Sequence, residues 1–119
     1  MTKSQFEELV ARALESLPEV FKVRLDNLVI EVQDRPSKRL LRSLDMDDDD
    51  LLFGLYDGVP LTEYGREEMF RLPDRIIIFK EPIEEACESE AEIEEEIRKT
   101  VLHEIGHYFG LKEEELKDV

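Results

Sequence analysis

Apolar residues recur at helical spacing near the N-terminus of the chain, between residues 6 and 17. Thr2 or Ser4 can cap the helix that this spacing predicts, because a side-chain oxygen at the N-cap accepts a hydrogen bond from the first turn. Pro18 interrupts the pattern, so we expect residues 20–21 to form a short turn or the end of this helix.

A longer amphipathic helix is predicted near the C-terminus, over residues 91–109, after a short helix over residues 83–87. Pro82 and Ser89 are expected to start these two helices. The apolar stripe of the longer helix consists of residues three or four positions apart, widened by two neighbours: Ile93, Ile97, Val101, Ile105 and Tyr108, with Leu102 and Phe109. Both histidines of the chain lie at the edge of this stripe, which suits side chains that face a cleft while the helix packs on a sheet.

Three segments between these helices have the composition of strands: residues 28–32, 51–56 and 75–80. Gly54 is a candidate bulge within the second segment. The third segment contains three consecutive isoleucines, and two positions are open for it. It could be a buried central strand, or an edge strand that pairs with an extended peptide. The elements show no internal repeat and no linker, so we predict one domain over residues 1–119.

Residues 35–50 are predicted to form a solvated, mobile loop. A basic stretch is followed there by the acidic run DMDDDD at residues 45–50. This run lacks the glycine and the terminal glutamate of a calcium-binding loop, so we do not interpret it as a metal site. Residues 61–70 are expected to form an irregular or short helical connection.

The balance of charge excludes several classes of partner. The chain has 31 acidic and 16 basic residues and a formal net charge of −15, with no basic patch for nucleic acid or for an anionic membrane. No stretch approaches the length of about 18 apolar residues that a membrane span requires, and the charged N-terminus is unlike a signal peptide. We therefore expect a cytoplasmic protein. Cys87 is the only cysteine, which excludes an internal disulfide, and we expect it to be a packing residue.

The motif that carries chemistry is HEIGHYFGLKE, at residues 103–113. His103 and His107 are four residues apart, so they lie on one face of a helix and can reach the same metal ion. Glu104 lies to the side of this pair, where it can take a proton from a water molecule on the metal. The pattern therefore predicts a zinc site with a catalytic glutamate.

Glu113 is the predicted third ligand. In an unbroken helix it would lie about 9 Å beyond His107 along the axis and roughly 120° around it, too far to share an ion. Gly110 can end the helix first, because glycine adopts the left-handed conformation of a C-cap without a steric clash. The competing carboxylates are those of Glu114, Glu115 and Asp118.

Three runs together resemble the small bacterial zincin-like metallopeptidases, the minimal zincins: GLYDGVPLTE at residues 54–63, LPDRI at 72–76 and VLHEIGH at 101–107. The resemblance covers about the last two-thirds of the chain. It implies an α+β fold in which a small mixed β-sheet packs on the active-site helix, here with an N-terminal helix added. It also implies a zinc-dependent peptidase that acts on a peptide or protein substrate.

In such a mechanism His103 and His107 are neutral imidazole ligands and Glu113 is a carboxylate ligand. Glu104 is the general base and then the proton donor to the leaving amine. Candidates for stabilising the oxyanion are Tyr108, Tyr64 and Arg75. Two alternatives remain open: a zincin-fold metal-binding or regulatory protein with little turnover, and an acidic interaction module whose histidines are structural.

Overall fold

The computed structural model describes residues 1–22, 28–58 and 74–108. Its elements, in chain order, are α1 (Lys3–Glu15), α2 (Glu19–Lys22), β1 (Leu28–Gln33), α3 (Lys38–Ser43), β2 (Gly54–Asp57), β3 (Asp74–Phe79), α4 (Lys80–Ala86) and α5 (Glu90–Tyr108). None of the helices within these ranges combines the length and the hydropathy needed to cross a bilayer.

The three strands form one mixed sheet in the order β1-β3-β2. β1 runs parallel to β3, with Leu28 opposite Asp74, and β2 runs antiparallel to β3, with Gly54 opposite Ile78. β3 is therefore the central strand, and the alternative that it forms an edge open to a peptide is wrong. The physical reason is pairing: β3 is paired with β1 on one side and with β2 on the other, which occupies both of its sides. Its three isoleucines, residues 76–78, are at most 4% exposed, so both faces of the strand are covered as well.

The core lies between the sheet and the two long helices. α1 and α5 pack against each other, and α5 also packs on β2 and β3. Fully buried side chains from all three layers meet there: Phe6 of α1, Ile76 and Ile78 of β3, and Ile97, Val101 and Ile105 of α5. This arrangement confirms the predicted α+β fold, a small mixed sheet packed on the HExxH helix together with an N-terminal helix.

The N-terminal helix begins as predicted, with Thr2 rather than Ser4 as its cap. The Thr2 hydroxyl accepts a hydrogen bond from the Gln5 backbone N–H, and the Gln5 side chain accepts one from the Thr2 backbone N–H. This reciprocal pair is a capping box. Residues 20–21 belong to the separate short helix α2 rather than to the end of α1.

The prediction of a loop over residues 35–50 is wrong for its middle part. Ser37 accepts a hydrogen bond from the Leu40 backbone N–H and so caps α3, whose Leu41 is buried. One buried leucine gives this six-residue helix its tertiary contact, which local composition does not show. The acidic residues 47–50 that follow are exposed, as predicted.

The two C-terminal helices differ slightly from their predicted bounds. α4 begins directly after β3, so Pro82 lies in its first turn, where a missing backbone N–H costs no helical hydrogen bond. Ser89 starts α5 as predicted, because its hydroxyl accepts a hydrogen bond from the Glu92 backbone N–H. Cys87 follows α4 and is packed partly against the core, as expected.

Candidate metal centre

One face of α5 carries His103, Glu104 and His107 near the end of the helix. One potential ligand atom of each residue, an imidazole nitrogen or a carboxylate oxygen, lies within 4.8 Å of the other two. The imidazole centroids are 4.9 Å apart and their planes are inclined by 77°. Both histidines are half-buried, so the surrounding fold supports them while solvent still reaches them.

Glu104 is held in place by the neighbouring strand. It is only 8% exposed, which is unusual for a glutamate. Its Oε1 atom accepts a hydrogen bond of 2.9 Å from the backbone N–H of Tyr56 in β2. A hydrogen bond from a backbone donor to a carboxylate is strong and directional, so β2 fixes the orientation of Glu104 beside the histidines.

Tyr56 is in turn fixed at its ring and at its hydroxyl. The ring packs edge to face against the buried Tyr108 of α5, with centroids 5.8 Å apart. The hydroxyl donates a hydrogen bond to Asp74 Oδ2, on a residue that is 3% exposed. Gly58 leaves the space for this carboxylate, because a Cβ atom at position 58 would overlap it. The strand residue that orients Glu104 is therefore itself half-buried and hydrogen-bonded.

β2 lies close against α5 at Gly54. A Cβ atom on this residue would lie 2.5 Å from Thr100 Cγ2 and 3.6 Å from Glu104 Cγ. The predicted bulge is wrong, because the register of β2 with β3 is continuous from Gly54 to Asp57. The glycine is needed instead for the close approach of strand and helix.

Arg75, one of the predicted oxyanion-stabilising residues, is placed away from the site. Successive strand residues point to opposite faces of a sheet, so Arg75 lies on the face opposite its core neighbour Ile76, which is buried toward the helices. Its guanidinium donates hydrogen bonds to Asp57 at 2.8 Å and to Glu31 at 2.9 Å. The hydrogen bond to Asp57 is the main cause that raises the pKa of Arg75. This candidate is wrong because the side chain is paired on the other side of the sheet.

Of the remaining predicted residues, one is described by the structure and three are not. Tyr108 is buried next to the site, and its role in stabilising an oxyanion stays a prediction. Glu113, Gly110 and Tyr64 lie outside the described residues. The third ligand therefore also stays a prediction.

The arranged side chains fit a metal ion. Two imidazole nitrogens on one tetrahedral zinc ion are about 3.3 Å apart, since Zn–N bonds measure about 2.0–2.1 Å. The 4.8 Å limit on the distances between the possible ligand atoms is close enough for small side-chain rotations to reach this separation. Imidazole and carboxylate groups are also the donors that zinc takes in sites without cysteine.

Comparison with known proteins identifies the family. A family model described as zincin-like metallopeptidase matches residues 25–119. The chain belongs to this family. A solved structure of a conserved hypothetical protein from Thermo thermophilus is similar to this zincin-like chain, with a TM-score of 0.58 and 26% sequence identity. The likeness covers 92% of this chain and 94% of that protein. No match is found among curated proteins.

Sequence reasoning placed the zincin-like motif on α5 but missed its support from β2. Tyr56 and Asp74 were noted only as parts of runs shared with the family. The available signal was the pair of glycines at positions 54 and 58, which lie on either side of Tyr56, one at the start of β2 and the other directly after its end. Glycine weakens a strand, so two of them in five residues indicate close approach of other groups.

Proposed function

We propose that this zincin-like protein is a zinc-dependent peptidase. Water is added across a peptide bond, so that a carboxylate and an amine are released. His103, His107 and Glu113 would hold the ion, with Glu113 as the predicted carboxylate ligand. When bound, zinc polarises the substrate carbonyl and lowers the pKa of a coordinated water to about 7.

Glu104 is the general base in this proposal. Its carboxylate takes a proton from the attacking water and delivers it to the nitrogen of the leaving amine. The hydrogen bond from the Tyr56 backbone N–H holds one oxygen, Oε1, so that the carboxylate cannot rotate freely away from the histidines. The strand therefore fixes the direction in which the base accepts the proton.

The single observation that carries the proposal is the position of Glu104. The side chain is buried, accepts a hydrogen bond from the Tyr56 backbone N–H, and has a carboxylate oxygen within 4.8 Å of a nitrogen of each histidine. A purely structural zinc site needs no such carboxylate. The net charge of −15 favours a peptide or protein substrate over nucleic acid.

A zincin-fold protein that binds metal with little turnover is the second candidate. It is favoured by the same hydrogen bond, because the Tyr56 N–H already occupies part of the acceptor capacity of Glu104. Metal binding is common to both candidates, and hydrolysis separates them.

Metal content is the first test. The purified protein, stripped with a chelator and reloaded, should take up to one zinc ion per chain as measured by plasma mass spectrometry. His107→Ala should lose most of this zinc, because one of the two imidazole donors on the helix face is removed. Equal zinc in the two proteins would reject the site.

Hydrolysis of a peptide library is the second test. Glu104→Gln keeps the size of the side chain and removes the base, so zinc should remain while hydrolysis falls by a factor on the order of 100 or more. Glu95→Gln is the matched control, since it makes the same chemical change at an exposed position of α5. Equal turnover in Glu104→Gln and Glu95→Gln would refute the role of Glu104.

A further inference from the structure

A groove extends along α5 from the candidate metal centre toward the start of the helix, and His103 and Glu104 close one end of it. Its two sides come from different parts of the chain, Leu52 and Phe53 on one and Glu96 and Lys99 on the other. Gly54 and Thr100, which approach each other closely, join the two sides. The groove therefore adjoins the candidate metal centre and is built by α5, by Gly54 of β2 and by the two residues that precede this strand.

The helix wall belongs to the face that carries the histidines. Residues 96, 100, 103 and 107 are three or four positions apart, so they form one row along α5. Glu96 and His103 are seven positions apart, which corresponds to about 10 Å along the helix at 1.5 Å per residue. An extended peptide rises about 3.3 Å per residue, so this length accommodates about three residues on one side of the centre.

The strand-side wall is apolar. Leu52 and Phe53 are half-buried, and Gly54 adds no side chain. Phe53 also packs against the hydrophobic core, which makes this wall rigid. Glu96 and Lys99 on the opposite wall carry opposite charges, so the groove does not select a substrate of one sign.

Thr100 gives the groove a buried polar group. It is 8% exposed, and its hydroxyl forms no hydrogen bond with another residue in the described part of the chain. A buried hydroxyl without a partner is unfavourable, whereas a peptide group in the groove would supply one. This observation points to an occupant with a polar backbone as well as an apolar side chain.

We infer that this groove is a substrate subsite that binds an apolar side chain, of the leucine or phenylalanine class, next to the bond to be cleaved. The inference rests on the proposed peptidase function for its catalytic meaning. Leu52 is the specificity-determining residue, because it contributes to the apolar wall and is not part of the buried core cluster. An acidic side chain is disfavoured there by the apolar wall, because contact with Leu52 and Phe53 would remove water from its carboxylate without supplying a hydrogen bond.

The first test measures peptide hydrolysis by the zinc-loaded protein. The substrates are hexapeptides of alanine and glycine in which one position is varied among leucine, phenylalanine, alanine and aspartate. Partial burial of leucine should raise kcat/KM about tenfold over the alanine peptide when leucine is at the position next to the cleaved bond. Leu52→Asp should remove this preference, so that kcat/KM for the leucine peptide is no longer higher than kcat/KM for the alanine peptide. Leu51→Asp is the matched control, because Leu51 is exposed and lies outside the groove.

The second test measures binding to the groove directly, without hydrolysis. N-acetyl-leucinamide and the α-amide of N-acetyl-aspartate, which keeps a free side-chain carboxylate, are titrated into 15N-labelled Glu104→Gln protein. The leucine probe should shift the amide resonances of residues 52–54 and 99–100, the aspartate probe should not, and Leu52→Asp should abolish the shifts.

The two measurements distinguish the possible failures. Binding of the leucine probe without hydrolysis of any peptide would support the groove and refute the peptidase function. Hydrolysis without an apolar preference, or a preference that Leu52→Asp and Leu51→Asp leave equal, would overturn the inference while the peptidase function stands. Shifts confined to other residues would also overturn it.

Discussion

Replacement of Gly54 by alanine tests how closely β2 is packed on α5. The added Cβ atom would lie 2.5 Å from Thr100 Cγ2 and 3.2 Å from the Ile77 carbonyl oxygen. Carbon atoms in contact are normally about 3.5–4.0 Å apart, so the first contact requires the strand or the helix to move. Overpacking of this kind costs about 1–3 kcal/mol, whereas alanine in a strand is otherwise favoured over glycine by about 0.5–1 kcal/mol. We therefore expect Gly54→Ala to lower the free energy of unfolding by about 1–2 kcal/mol.

Thr100→Ala separates the steric contact from the other effects of the substitution. It removes the methyl group that Gly54→Ala would strike, so only the contact with the Ile77 oxygen remains. In this background Gly54→Ala should be within about 0.5 kcal/mol of neutral, which corresponds to a coupling of about 1–2 kcal/mol between the two positions.

The assay is urea unfolding of the wild type, both single variants and the double variant, followed by circular dichroism. A chelator is included so that metal binding does not contribute to the measured stability. If Gly54→Ala costs the same in both backgrounds, the close approach of strand and helix is wrong. A neutral Gly54→Ala in the wild-type background would refute it as well.

The remaining predictions concern the third ligand, the cysteine and a charge pair. Glu113→Ala should weaken zinc binding on the order of tenfold or more in a competition assay with a chelator, whereas Glu114→Ala should not; equal losses would reject Glu113. Cys87→Ser should leave zinc affinity unaltered in the same assay, because the thiol is a packing group whose pKa is raised mainly by burial; a large loss would show that the ligand set is wrong. Burial alone would raise the pKa of Glu84, but the hydrogen bond of 2.9 Å from Lys80 Nζ helps to hold it below its usual value of 4.5. Above pH 4.5 the wild type should be more stable than Glu84→Gln by about 1 kcal/mol, and this difference should disappear as the pH falls through the lowered pKa of Glu84. Urea unfolding at several pH values measures the difference. A pH-independent difference would contradict the charge pair of Glu84 and Lys80.

Helices with a regular spacing of apolar residues were predictable from the sequence. α5 was expected over residues 91–109 and is described over Glu90–Tyr108, with the predicted stripe from Ile93 to Ile105 in the core. The histidine pair follows directly, because two residues four apart on a helix share a face whatever the rest of the fold does. The short helix α3 was not predictable, because six residues are too few to show a helical period and the helix depends on the burial of Leu41.

The position of β3 within the sheet could not be predicted from the sequence, for a different reason. Its apolar run predicted a strand and was compatible with both the centre and the edge of a sheet, because periodicity describes burial and not neighbours. Its place was decided by pairing with β1 on one side and β2 on the other. Strand order depends on contacts between distant parts of the chain, and these leave no local pattern.

The hydrogen bond that orients Glu104 could not be predicted for the same reason, and this contact matters for the chemistry of the site. Its hydrogen-bond donor, the Tyr56 backbone N–H, is 48 residues away in the sequence, and a backbone group leaves no side-chain signature. Gly54 and Gly58 do leave one, because each occupies a position where a Cβ atom would strike a side chain, that of Thr100 or that of Asp74. The motif HExxH thus supplies the reactive groups through local helical geometry. The two glycines mark where the strand must approach in order to orient the base, so the support of the site is also encoded in the sequence, in residues that carry no side chain.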